Sequence, residues 1–184
     1  MAKNVYVFLA EGFEEIEAVA TIDLLRRAGI ATITVAVGNS LEVSGAHHIT
    51  LRADKPLDEV DLSNADALVL PGGLPGVDNL NASEMLRSML CQMYDSGRLV
   101  AAICAAPMIL GQLGILNGKR ATCYPSFENH LTGYKASEQK VISDGHVITA
   151  CSAGVAIDFG LEIIKYLLGE QEAQLVADAI IYKR

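Results

Sequence analysis

Apolar residues fall in short runs separated by segments with helical spacing. Residues 4–10 (NVYVFLA), 31–37 (ATITVAV), 65–70 (ADALVL) and 99–103 (LVAAI) are the clearest runs. Runs of this length with little polar alternation predict strands buried on both faces of a parallel sheet. A further pair, Val141-Ile142 and residues 147–150, flanks Ser143-Asp144-Gly145-His146, and its Asp-Gly predicts a hairpin turn. Between the runs the spacing predicts helices over 14–28, 83–94, 106–113, 155–168 and 170–181. Gly29, Gly97 and Gly114 stand beyond the ends of three of them, where a helix stops. Residues 41–51 are less regular, with Ser44-Gly45-Ala46 predicting a turn inside a small hairpin, and the polar stretch 54–64 predicts a surface crossing. Strands alternating with helices define an α/β fold: a three-layer sandwich around a mostly parallel central sheet.

Composition narrows the possibilities. The 184 residues suit one domain, taken as 1–184, with no linker, repeat or low-complexity segment. Hydrophobic residues make up 51% and charged ones 20%, the balance of a globular chain. The net charge of −8, without a basic patch, argues against nucleic acid as a partner. No stretch approaches the ~20 apolar residues of a membrane span. The start MAKNVYVFLA has no long h-region or cleavage site, so a cytoplasmic location is expected. Cys91, Cys104, Cys123 and Cys151 are widely spaced and lack a zinc-site pattern, which predicts reduced thiols and no metal site. His47 and His48 are adjacent, so on a strand they face opposite sides and cannot chelate one ion together.

The chemistry concentrates where strands end. Cys104 directly follows the run 99–103, and Pro107 sits at a position that suits a helix start. A strand turning sharply into a helix with a nucleophile at the corner is an elbow geometry, and Ala102, Ala105 and Ala106 leave room for it. The elbow predicts a strained backbone at Cys104, and the helix start should favour its thiolate. Gly72 and Gly73, after the third run, allow close approach of backbone N–H groups to a ligand. Glu14, Glu15 and Glu17 share the first turn of the first helix. Dipole compensation accounts for Glu14 and Glu15, whereas Glu17 shares a stripe with Thr21, Leu24 and Ala28 and is expected to face inward. In open α/β sheets ligands bind outside the carboxyl ends of the strands. The segments 11–13, 71–73, Cys104 and 150–154 all fall there.

The pieces AEGFEEIEA (10–18), LPGG (70–73), AAICAAP (101–107), ATCYPSFE (121–128) and DFGLEII (158–164) together resemble the ThiJ/PfpI superfamily, in its parkinsonism-associated deglycase (DJ-one) branch. The resemblance implies a flavodoxin-like fold and a homodimer. It implies a reactive Cys104, a conjugate carboxyl at Glu17, and oxyanion contacts from the backbone N–H groups of Gly73 and Ala105. Tyr124 stands where many relatives carry histidine, so it can donate a hydrogen bond but is a poor base at neutral pH. Ala150-Cys151-Ser152-Ala153-Gly154 replaces a Ser-Arg-Gly-Pro-Gly pattern and lacks its anion-binding arginine. The activity implied is a cofactor-independent, glutathione-independent glyoxalase or deglycase acting on 2-oxoaldehydes such as methylglyoxal, or on glycated adducts. In it, a protonated Glu17 is expected to pair with a Cys104 thiolate.

A different class of function would be an oxidative-stress sensor in which Cys104 is oxidised without turnover. A cysteine peptidase or amidase needs a base that Ala105 does not supply, and His130 and His146 read as solvated loop residues. An FMN carrier is disfavoured by acidic Glu11 and Glu14 after the first strand. Apolar or small residues on more than one side of the first helix, Ile16, Val19, Ile22, Leu24 and Leu25, also point to a homodimer.

Overall fold

The computed structural model describes residues 3–183. The chain runs β1 (Asn4–Leu9), α1 (Glu15–Arg27), β2 (Ala31–Ala36), the hairpin β3 (Glu42–Ser44) and β4 (Thr50–Arg52), then β5 (Lys55–Pro56) and β6 (Ala67–Leu70). It continues through α2 (Gly76–Ala82), α3 (Glu84–Asp95), β7 (Leu99–Ile103) and α4 (Pro107–Gln112). The remainder is β8 (Arg120–Ala121), β9 (Lys135–Ala136), β10 (Val141–Asp144), β11 (Val147–Ala150), α5 (Ala156–Leu168) and α6 (Glu170–Ala179). Seven strands form one sheet in the order β10-β11-β7-β6-β1-β2-β5. Every pairing in it is parallel except that of β10 with β11. The expected α/β architecture with a mostly parallel sheet is therefore the observed one.

Alternation along the strands feeds two cores. In β1, Val5, Val7 and Leu9 face α1, α5 and α6, while Tyr6 and Phe8 face α2, α3 and α4. Both sets are buried, which is why the strands read as continuous apolar runs. α1 crosses α5 closely because Gly160 has no side chain: a Cβ there would lie 2.7 Å from Leu24 Cδ1.

Helix α1 starts on Glu14, whose backbone is extended and whose carboxylate accepts the Glu17 N–H at 2.7 Å. It ends with Gly29 at φ 72° and the Ile30 N–H bonded to the Leu25 carbonyl, a Schellman closure. The predicted turn at Ser44-Gly45-Ala46 proves longer: Ser44 closes β3 and residues 45–49 make the connection. The sequence pattern does not predict helix α2. It is a short helix that buries Gly76, Val77 and Leu80, too few apolar positions to show a period.

The strand order places the site. β2 lies on one side of β1 and β6 on the other, so the connections leaving β1 and β6 diverge at their carboxyl ends and open a crevice. A bond from the Glu14 N–H to the Gly72 carbonyl, 2.9 Å, ties the two loops together there.

Candidate active site

Cys104 stands where β7 turns into α4. Its φ is 65°, a left-handed value that few residues other than glycine adopt. The strain expected of an elbow is present. Three backbone bonds hold the corner: the Cys104 N–H donates to the Ala150 carbonyl at 2.8 Å, its carbonyl accepts the Tyr124 N–H at 2.7 Å, and Ala106 N–H closes back on Ile103. Helix α4 begins at Pro107, so Ala105 and Ala106 belong to the turn rather than to the helix. The N–H groups of Ala105 and Gly73 face the Cys104 sulfur and favour its ionised form.

Glu17 reaches the same point from α1 and is 1% exposed. Its Oε2 accepts the Gly72 N–H at 2.7 Å. Gly72 is needed here because a Cβ would lie 2.6 Å from both Cys104 Cβ and Glu17 Oε2. This corrects the expectation that the Gly72 N–H approaches a ligand: it is already engaged by Glu17, and the missing side chain lets carboxyl and thiol meet. Gly73, at φ 94°, does present its N–H to the sulfur.

Burial dominates the electrostatics. It raises the Glu17 carboxyl to about 7, against the opposing effect of Cys104 and the Gly72 N–H. Burial and the neighbouring Glu17 charge push the Cys104 thiol up to about 12, only partly opposed by the Ala105 and Gly73 N–H groups. The Glu17 direction agrees with a protonated carboxyl at rest, whereas the Cys104 direction opposes a thiolate at rest. Two poorly solvated acids side by side keep at least one proton between them near neutral pH. Carboxyl and thiol are close enough to shift each other, yet Glu17 Oε1 has no well-aligned hydrogen-bond partner among the described residues. It is free to take a proton.

The sulfur opens into a pocket of about 190 Å³ lined by Gly73, Leu74, Cys104, Ala105, Tyr124 and Phe127. Tyr124 is 46% exposed at its mouth. A wider groove of about 720 Å³ at the β2–β5 edge includes Glu11, Asn39, Asp58 and Asn79 but none of these groups. The smaller pocket is lined by Cys104, whose neighbour Glu17 is buried, and is the candidate site.

Other expectations need correction. His130 is exposed, as predicted, but His146 is half-buried, with its ring 4.6 Å from that of Tyr94. Neither lines the pocket. Glu15 is not merely a helix-start carboxylate: it is 5% exposed. Its oxygens accept the His47 N–H at 2.6 Å and meet His47 Nδ1 at 2.9 Å, fixing the β3–β4 hairpin to α1. Glu14, Glu15 and His47 bring possible metal-ligand atoms within 4.8 Å of one another. Glu14 caps α1 and Glu15 anchors the hairpin, so both carboxylates already have structural partners. Only the fold could reveal the Glu15 contact, because 32 residues separate the partners.

The arrangement has relatives. The DJ-1/PfpI family pattern matches residues 3–166. Protein DJ-1 homolog B of Arabidopsis thaliana is 38% identical over 97% of this chain, which spans only 41% of that longer protein. Glutathione-independent glyoxalase DJR-1.2 of Caenorhabditis elegans is 33% identical, over 88% of this chain and 87% of its own. The structure of oxidized DJ-1 from Toxoplasma gondii superposes with a TM-score of 0.96 at 33% identity, covering all of both chains. No helix among the described residues is long and apolar enough to cross a membrane. With fold and sequence agreeing along nearly its whole length, the chain belongs to the DJ-1/PfpI family.

Proposed function

We propose that this protein is a glutathione-independent glyoxalase that converts small 2-oxoaldehydes such as methylglyoxal to hydroxy acids through Cys104, without cofactor. The observation that carries the reading is the buried Glu17 carboxyl, with a pKa of about 7, against a thiol at the floor of a pocket of about 190 Å³. A pocket that size suits a substrate of a few heavy atoms. The similarity to a C. elegans enzyme of that name supports the same reading.

The steps balance without an outside reagent other than water. From the state with Glu17 ionised and the thiol protonated, the Cys104 sulfur attacks the aldehyde carbon while Glu17 takes the thiol proton. The carbonyl oxygen becomes the hydroxyl of a hemithioacetal, and the Gly73 and Ala105 N–H groups, which face the sulfur, share the charge developing on it. As the hydroxyl proton moves across to the neighbouring carbonyl oxygen, Glu17, having passed its first proton to the former aldehyde oxygen, removes the former aldehyde hydrogen to give an enediolate. It returns a proton to the neighbouring carbon and leaves a thioester on Cys104. Water hydrolyses the thioester, releasing the hydroxy acid and the free thiol. Removal of glycation adducts is an extension of the same carbonyl chemistry. Lactate formation from methylglyoxal, measured against Cys104→Ala, tests the proposal; equal rates for the two proteins would reject it.

A second reading, an oxidant sensor at the same cysteine, is favoured by the oxidized form of the T. gondii relative. A homodimer fits either reading. Ile16 and Val19 of α1 are 60% and 44% exposed, and Ile49, on the hairpin anchored by Glu15, is 54% exposed. A second copy of the chain would cover this face, and a monomer by light scattering at micromolar concentration would refute it.

A further inference from the structure

A second thiol stands beside Cys104. Strands β7 and β11 pair in parallel with Ile103 opposite Ala150. The ladder continues one step further, because the Cys104 N–H donates to the Ala150 carbonyl. Cys104 and Cys151 therefore directly follow the last paired residues of two neighbouring strands. Strands in a sheet lie about 4.8 Å apart, inside the span of roughly 4.4–6.8 Å between Cα atoms that a disulfide bridges. Simple alternation would turn both side chains away from the face of Ile103 and Ala150. Both instead pack against the core cluster that contains those two residues. At Cys104 the left-handed φ accounts for the turn. Both thiols are half-buried rather than sealed. Cys123 precedes Tyr124, which bonds the corner, and Cys151 contributes to raising its thiol, but it is 6% exposed and belongs to the core on the opposite face of the sheet. Cys91 lies away from the site on α3.

We propose that Cys151 is the resolving thiol for Cys104. A peroxide transfers one oxygen to the Cys104 sulfur, is itself reduced to water or an alcohol, and leaves a sulfenic acid. The Cys151 sulfur then attacks the Cys104 sulfur. The S–S bond forms as the S–O bond breaks, and the departing hydroxide leaves as water with the Cys151 proton. The Ser152 hydroxyl, 3.7 Å from Cys151 Sγ, is placed to hydrogen-bond that sulfur as it loses its proton. The product is a two-electron state that a thiol reductant reverses. It withdraws Cys104 from carbonyl chemistry and protects it from irreversible oxidation to sulfinic acid.

The experiment treats the whole protein with hydrogen peroxide, alkylates remaining thiols and digests with trypsin without reduction. Each cysteine falls in its own peptide: Arg87 and Arg98 bracket Cys91, Arg98 and Lys119 bracket Cys104, Arg120 and Lys135 bracket Cys123, and Lys140 and Lys165 bracket Cys151. The expected product is a cross-link between the Cys104 and Cys151 peptides, with the intact mass lower by two hydrogens, reversed by dithiothreitol. Cys151→Ser and Cys151→Ala should turn over methylglyoxal as the parent does before oxidation. After peroxide they should carry Cys104 to the sulfinic acid, gain two oxygens and fail to recover with dithiothreitol. Sulfinic acid forming as fast in the parent as in both variants would overturn the proposal, as would a cross-link from Cys104 to Cys123. The mass readout requires no turnover, so it stands or falls separately from the glyoxalase reading.

Discussion

Replacing Glu17 with Gln should stabilise the protein in alkaline solution while abolishing turnover. The carboxyl is 1% exposed, and its pKa moves from 4.5 to about 7, with burial the leading cause. A folded-state value above the unfolded one means that the folded protein binds more protons between those limits. Stability linked to Glu17 is thus complete below pH 4.5 and declines as pH rises. The loss is complete once pH passes the folded value of about 7. The shift corresponds to roughly 3 kcal/mol at about 1.4 kcal/mol per unit. Gln retains an oxygen for the Gly72 N–H and carries no charge, so Glu17→Gln should escape that loss. Urea denaturation of both proteins at several pH values measures it. The difference in unfolding free energy between variant and parent should grow across this window by an amount of order 3 kcal/mol. Groups such as Asp54 and Asp66, held below the usual carboxylate range mainly by hydrogen bonds that outweigh burial, titrate in both proteins and cancel. A difference that stays flat with pH would refute the reasoning from burial.

Three further outcomes follow from the same geometry. Above pH 7, Glu17→Gln should speed alkylation of Cys104 by iodoacetamide, because the carboxylate charge that helps raise the thiol is gone; an unchanged rate would mean that the two groups do not share their protons. Gly72→Ala should cost about 1–3 kcal/mol in urea denaturation and slow Cys104 alkylation, since the new methyl overlaps Cys104 Cβ and Glu17 Oε2; parent-like stability would show that the corner can open without strain. Cys104→Gly should be more stable than Cys104→Ala by about 1 kcal/mol, because both lack the thiol but only glycine is at ease at φ 65°; equal stability would contradict a strained elbow.

The sequence by itself determined the alternation of strands and helices, the corner at Cys104 and the inward stripe carrying Glu17. Each is written in nearest-neighbour terms: a doubly buried strand has a continuous apolar run, a helix repeats every three to four residues, and small residues mark a tight turn. What only the tertiary structure decided depends on contacts between segments far apart in the chain. Gly72 reads as an ordinary turn residue until β6 is set beside β1, where its N–H meets Glu17 55 residues earlier. Glu15 has the look of a dipole-compensating carboxylate until the hairpin folds over it. The pKa values of Glu17 and Cys104 belong to the same class, because desolvation is a property of the assembled surroundings and not of either side chain. Cys104 and Cys151 are 47 residues apart in the sequence, and only the parallel pairing of β7 with β11 makes them neighbours.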